Sequence, residues 1–120
     1  MVGIDASEPR GNIFVSGEMI GQSLAGTVPS EFRLWARSGN IVIDSTALFR
    51  ATGTTASTDY TFFFMWADDG VLLMNGQIHA KAATGGYFID LEAKQDVVLG
   101  PSALIDAEAT VSGAIVGVNS

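Results

Sequence analysis

The sequence predicts an all-β fold, mostly antiparallel, with about eight strands in a sandwich, a jelly roll or a closed barrel. Three observations favour this class. Apolar and polar residues alternate along the longer stretches, which is the period of a β-strand. Short turns rich in Gly, Asn and Asp separate these stretches. No stretch carries apolar residues at the three- and four-residue spacing of an amphipathic helix.

A repeat of about 30 residues organises the predicted strands into four hairpin-like units. The two central units occupy 32–52 and 63–83, at an offset of 31 residues. The pairs matched at this offset include Phe32 with Phe63, Trp35 with Trp66, Gly39 with Gly70, Ala51 with Ala82, and Arg50 with Lys81. The last unit aligns Ile105 with Ile43, and the first aligns 11–21 with 39–49.

Each unit predicts a strand, a tight turn and a longer strand. The turns are Ser38-Gly39-Asn40 and Asp68-Asp69-Gly70, because Gly and Asn tolerate the left-handed backbone that hairpins require. The predicted inward residues of the longer strands are Ile13, Val15, Gly17 and Met19; Ile41, Ile43, Ser45, Ala47 and Phe49; Leu72, Met74, Gly76, Ile78, Ala80 and Ala82; and Ala103, Ile105, Ala107, Ala109 and Val111.

The outward rows hold polar residues and a surprising amount of apolar surface. Their apolar members are Phe14, Ile20, Val42, Leu48, Val71, Leu73 and Leu104. Val42, Leu73 and Leu104 fall at the same repeat position, so we expect them to form a stripe. Such a stripe indicates either a second core layer or a contact between subunits.

One folded domain is expected over 13–120, preceded by an N-terminal arm at 1–12 that becomes ordered on contact. An alternative to the antiparallel fold comes from residues 96–117, where apolar pairs recur every six residues. This spacing resembles a β-solenoid of the bactofilin kind, a family that polymerises into filaments. The aromatic block at 60–66 does not fit that pattern.

Charge and composition limit the classes of partner. The net charge is −7 with six Lys and Arg, so we expect neither nucleic acid nor an anionic membrane surface as a partner. The chain has no cysteine, and its longest aromatic apolar run is too short to span a bilayer. Charged residues make up 16%, below the roughly 25% of soluble domains. Either Thr, Ser and Gly keep the surface wet, or partners cover part of it.

No catalytic, cofactor or metal site is predicted. His79 is the only histidine, and we interpret it as a solvated side chain. Asp90 with Glu92, and Asp106 with Glu108, each share a strand face. Such pairs could bind Ca²⁺ or serve a glycosidase, but no loop motif surrounds them, and a solvated face is the simpler interpretation.

The predicted contact residues are aromatic and aliphatic. They are Trp35, Trp66, Phe62 and Phe64, with the row Val42, Leu73 and Leu104. Trp with neighbouring Arg is typical of interfaces. A core strand buried on both faces is an alternative for the aromatic block, and a carbohydrate-binding platform is another.

The sequence predicts a structural protein and not an enzyme. In overall character, with Ala-, Gly-, Thr- and Ser-rich strands, an acidic balance and no Cys, it resembles small bacteriophage head decoration or cement proteins. That resemblance implies a homo-oligomer, with a trimer favoured, bound to a capsid or other virion protein and located on the capsid surface; otherwise a soluble protein is expected. The alternatives are a carbohydrate-binding module and a bactofilin-like polymer.

Overall fold

The computed structural model describes residues 2–22, 30–52, 61–82, 87–109 and 114–120. These residues contain thirteen strands and no helix. The strands are β1 (Val2–Glu8), β2 (Ile13–Val15), β3 (Glu18–Gln22), β4 (Ser30–Ala36), β5 (Ile41–Ile43), β6 (Leu48–Thr52), β7 (Thr61–Ala67), β8 (Leu72–Met74), β9 (Gln77–Ala82), β10 (Tyr87–Ala93), β11 (Val97–Leu99), β12 (Leu104–Ala109) and β13 (Ala114–Asn119).

The strands form three sheets, and every paired strand is parallel to its neighbour. Sheet A has the order β1-β4-β7-β10-β13, sheet B the order β11-β8-β5-β2, and sheet C the order β12-β9-β6-β3. The chain therefore visits A, B and C in turn and then returns to A beside its previous strand. Coils 1 to 4 begin with β1, β4, β7 and β10, and β13 adds a fifth level to sheet A alone. This is the architecture of a three-sided parallel β-solenoid.

The predicted antiparallel sandwich, jelly roll or barrel of about eight strands is wrong. All-β character is confirmed, but the turns taken for hairpins are corners. Ser38-Gly39-Asn40 joins β4 of sheet A to β5 of sheet B, so the chain changes sheet and does not fold back on its neighbour. The solenoid alternative has the observed architecture. The aromatic block, which lacks the six-residue spacing, forms β7, the middle strand of sheet A.

The repeat length of about 30 residues holds, while its register needs correction. Phe32 pairs with Phe63 and Trp35 with Trp66, as the offset of 31 predicts. In sheet C the offset is shorter, so Ala51 lies beside Ala80 and not beside Ala82. Further corrections are that Arg50 lies beside His79 and not Lys81, and that Ile105 lies beside Ile78.

The inward rows of the three sheets form a continuous apolar core. Its fully buried members include Phe32, Leu34, Ile41, Ile43, Phe49, Phe63, Met65, Leu72, Met74, Ile78, Ile89 and Leu91. Phe32 and Phe63 stack with ring centroids 4.8 Å apart, close to the spacing of about 4.8 Å between strands. The predicted inward rows are thus confirmed at Ile41, Met74 and their neighbours.

Two predicted inward residues, Gly17 and Ser45, are exposed because each lies at a corner. Val111 lies outside the described residues.

The corner between sheets A and B is held by stacked Gly and Asn residues. A Cβ on Gly70 would overlap the carbonyl oxygen of Gly39, and a Cβ on Gly39 would overlap that of Gly11, so each coil approaches the one before it closely only because these residues lack a side chain. The amide oxygen of Asn12 accepts a hydrogen bond from the Asn40 N–H at 2.8 Å. The amide oxygen of Asn40 accepts one from the Val71 N–H at 2.8 Å. The side chains thus satisfy backbone donors of the following coil.

The predicted N-terminal arm, 1–12, includes a strand of the solenoid. β1 pairs with β4 over its whole length, from Val2 beside Ser30 to Glu8 beside Ala36. This part of the arm is the edge strand of sheet A at the N-terminal end of the coils.

Candidate interaction surfaces

The outer face of sheet A carries a cluster of aromatic side chains. Phe62, Phe64 and Trp66 point outward from β7, since they alternate with the buried residues of that strand. Trp35 from β4 and Phe88 from β10 adjoin them. The structure therefore brings the four predicted contact aromatics together on one face, where they are half-buried. The alternative that both faces of β7 are buried in a core does not hold.

The rings of this aromatic cluster pack chiefly against one another and against charged groups. The Phe62 and Phe64 rings stack 5.5 Å apart, and Phe64 and Trp66 lie 4.9 Å apart. Trp66 and Trp35 meet edge to face, and the Arg37 guanidinium lies over the Trp35 ring at 4.3 Å. The Phe64 ring thus packs between two other rings, and one face of the Trp35 ring is covered by the guanidinium.

Carboxylates fix the orientation of both indoles. The Trp35 Nε1–H donates a hydrogen bond to Asp68 at 2.7 Å, and the Trp66 Nε1–H donates one to Asp90 at 3.0 Å. Glu31, buried beside the cluster, pairs with the Arg33 guanidinium. With these polar atoms paired, the side chains form an amphipathic surface.

Sheet B carries a single outward row, and all of it is apolar. Phe14, Val42, Leu73 and Val98 lie side by side across the four strands. Val42 and Leu73 are neighbours, as the repeat predicts. Leu104 does not extend this row: it belongs to β12 of sheet C, beside Gln77. Its expected place is taken by Val98, because the offset from coil 3 to coil 4 is shorter than 31 residues.

The C-terminal end of the coils leaves inward-facing side chains uncovered. Leu99 in β11 is 52% exposed, and Val116 and Val118 in β13 are 47% and 46% exposed. Each continues an inward row, since Leu99 pairs with Met74, Val116 with Ile89 and Val118 with Leu91. These exposed residues, with the partly buried Ile105 and Ala107 of β12, form the open end of the core. The sequence reasoning missed this surface, although it placed Ile105 and Ala107 in an inward row.

The polar residues considered from the sequence either lie away from these apolar surfaces or hydrogen-bond to a residue of the aromatic cluster. His79 is half-buried on the outer face of sheet C, with Nε2 2.9 Å from the Gln77 amide oxygen and Nδ1 3.6 Å from Asp106. Asp90 holds the Trp66 indole, and Glu92 is exposed. Among the described residues, no three acidic or histidine side chains cluster as a metal site would require.

At a corner between sheets B and C, hydrogen bonds lower the pKa of the Asp44 carboxyl group. Asp44 Oδ1 accepts hydrogen bonds from the Thr46 hydroxyl at 2.6 Å and from the Thr46 backbone N–H at 2.8 Å. Both bonds favour the ionised carboxylate, so the pKa of Asp44 lies below its ordinary value of 3.8. This arrangement stabilises the turn.

Comparisons with known protein families, with curated proteins and with solved structures found no match to this chain. In the part of the chain that the structure describes, no helix is both long and apolar enough to cross a membrane.

Proposed function

We propose that this chain is a non-enzymatic structural protein that works by associating with further copies of itself. The observation that carries the proposal is the open end of the core, where Leu99, Val116 and Val118 continue buried rows but are half exposed. A packed interior leaves few such side chains in water, because each gains roughly 1.5–3 kcal/mol when buried. A second copy of the chain packed on this end would bury these side chains.

Light scattering after size exclusion tests this proposal. The 120-residue chain, of 12.5 kDa, is expected to show a mass above that of a single chain at micromolar concentration. Val118→Lys places a charge in the open end and is expected to return the mass to 12.5 kDa. Ser45→Lys, at an exposed corner, is the matched control and is expected to leave the mass unchanged. A folded wild-type chain that remains a monomer would contradict the proposal.

The setting we propose is a virion, in which the chain also binds a capsid or other virion protein. The support is the resemblance in composition to bacteriophage head decoration proteins, together with a second apolar surface on sheet B that self-association at the coil end leaves free. Inspection of the genome tests this. A major capsid or portal gene is expected beside the gene for this chain, and a neighbourhood without virion genes would count against it.

Carbohydrate binding is the second candidate function, and it rests on the aromatic cluster of sheet A. Sugar rings stack on open aromatic faces, whereas Phe64 packs between two rings and Trp35 lies under a guanidinium. We therefore rank it below self-association. A glycan array separates the two: binding by a monomer that is lost in Trp35→Ala would favour the carbohydrate function.

A further inference from the structure

Three edge strands lie together at the C-terminal end of the coils. They are β13 of sheet A, β11 of sheet B and β12 of sheet C. Sheet A has five strands and the other two sheets have four, so β13 stands one strand spacing, about 4.8 Å, beyond β11 and β12. The end of the molecule is therefore a step, with β13 raised and β12 beside it one level lower.

β13 lacks the features that protect edge strands from pairing. Monomeric proteins place charged residues or proline on such edges to prevent another strand from adding. The sequence of β13, AIVGVN, contains neither. Along one side of this strand, the backbone has no strand partner among the described residues. By contrast, β12 carries Asp106 and Glu108 on its outer side, so two copies of β12 would repel each other.

The alternation of inward and outward residues limits which strands can pair across two copies. In an antiparallel pair, residues directly opposite each other must face the same side of the sheet. If two β13 strands overlapped fully, the inward Val116 would lie opposite Gly117, which lies at an outward position in register with Asp90. Two β12 strands would likewise place the inward Ile105 opposite the outward Glu108. Neither strand therefore matches itself at full overlap.

β13 and β12 do match each other. Both have six residues. In an antiparallel pair with full overlap, Val116 lies opposite Ala107 and Val118 lies opposite Ile105. All four residues face the core, because their register partners Ile89, Ala80, Leu91 and Ile78 are buried. The same register places the outward Asp106 opposite Gly117, so no like charges meet.

The step shape fits the same pairing. A two-fold axis perpendicular to the direction in which the coils stack, passing through sheet B, exchanges sheets A and C. The raised β13 of each copy then fills the level above β12 of the other. Only sheet B, three residues wide at β11, lacks a strand at the junction. Head-to-tail stacking of β1 on β13 would leave a missing strand in both sheets B and C, and such voids forfeit packing contacts.

We propose that two copies of this chain associate end to end as a closed dimer, with β13 of each copy paired antiparallel against β12 of the other. The inference rests on the proposed self-association and specifies its contact. A two-fold contact of this kind uses the same surface on both copies, so assembly through it stops at two. Except at sheet B, the open core of each copy is covered by the other.

Disulfide cross-linking tests the pairing cleanly, because the chain has no cysteine of its own. Val116→Cys and Ala107→Cys are made in separate chains, mixed and treated with a mild oxidant. Opposite residues of an antiparallel pair have Cα atoms about 4.5–5.5 Å apart, within the range that a disulfide spans. A covalent dimer is expected in the mixture and in neither variant alone. Val116→Cys mixed with Ser45→Cys is the control, for which no cross-link is expected.

Each other result overturns the inference. Cross-linking of Val116→Cys with itself would mean that β13 pairs with β13. A wild-type chain that grows beyond a dimer, or a folded and self-associating mixture without the cross-link, would mean that another surface makes the contact; either leaves the proposed self-association standing. A wild-type chain that stays monomeric by light scattering would overturn both. Circular dichroism of each variant confirms that the β-structure is retained.

Discussion

Coils 3 and 4 place similar side chains at equivalent positions and bury them to different extents. Met74 in coil 3 and Leu99 in coil 4 are register partners in sheet B, yet Met74 is 0% exposed and Leu99 is 52% exposed. In sheet A the difference falls one level later, where Leu91 of coil 4 is buried and its register partner Val118, in the fifth level, is half exposed. In a solenoid, an inward side chain is covered by the coils on both sides of it. The end of the stack lacks one of those coils, so it is the part of the core that a second copy can complete.

The largest expected effect separates these two regions directly. Met74→Ala removes a fully buried side chain and is expected to lower the free energy of unfolding by about 2–5 kcal/mol. Leu99→Ala is expected to cost about 1 kcal/mol, because half of that side chain is in water in the single chain and sheet B lacks a strand above it at the proposed junction. Urea denaturation at one fixed protein concentration measures both. Equal losses would mean that Leu99 is as well covered as Met74.

A second comparison of stability concerns the corners, where successive coils approach each other closely. Gly70→Ala is expected to destabilise by about 3 kcal/mol, because the new Cβ would overlap the backbone of Gly39 in the coil before it. Gly117→Ala in β13 is the matched control. Its Cβ would meet Asp90 Oδ1 at 3.4 Å, an ordinary contact, and little change is expected. The same denaturation series compares them, and a harmless Gly70→Ala would show that the coils are not stacked so closely.

The asparagine at an interior corner should contribute more to stability than the asparagine at the terminal corner. Asn40→Ala leaves the part-buried Val71 N–H without its side-chain acceptor and is expected to cost about 1–2 kcal/mol. Asn12→Ala breaks the equivalent but exposed bond to the Asn40 N–H, where water can replace the amide, so a smaller loss is expected. Thermal unfolding of both variants tests this order, and the reverse order would contradict the corner described here.

The smallest effect lies at the exposed corner of Asp44. Its pKa is depressed by the Thr46 hydroxyl and by the Thr46 N–H, so its contribution to stability is present above the pKa of the unfolded chain and is lost as pH falls through the folded pKa. Titration by carboxyl NMR is expected to place its midpoint below 3.8. Thr46→Val removes the hydroxyl and should raise that midpoint. An unchanged midpoint would assign the shift to other groups.

Much of the core could be predicted from the sequence, because alternation along a strand does not depend on what the strand pairs with. Phe49 and Ile78 were placed inward, and Val42 and Leu73 outward, although the predicted pairing was antiparallel. For the same reason, alternation does not indicate whether neighbouring strands are parallel or antiparallel. Three-residue strands are too short to carry a direction signal, and a Ser-Gly-Asn corner has the composition of a hairpin turn.

The repeat did contain one indication that the strands are parallel. Phe32 with Phe63, and Trp35 with Trp66, repeat in the same order along the chain, which is what translation of one coil onto the next produces. The position of Leu104 could not be derived from a single offset, because the offset differs between sheets and between coils. The open end was missed for another reason: it depends on how many strands each sheet contains.

The most direct test of the central claim is hydrogen exchange at backbone amides, measured at low and at high protein concentration. We expect exchange in β12 and β13 to slow the most as concentration rises, because a second copy covers those two edges, while amides of β5 and β8, which already lie between neighbouring strands, slow only as far as association stabilises the whole chain. Exchange in β12 and β13 that does not depend on concentration would contradict the claim that another copy completes this end of the core.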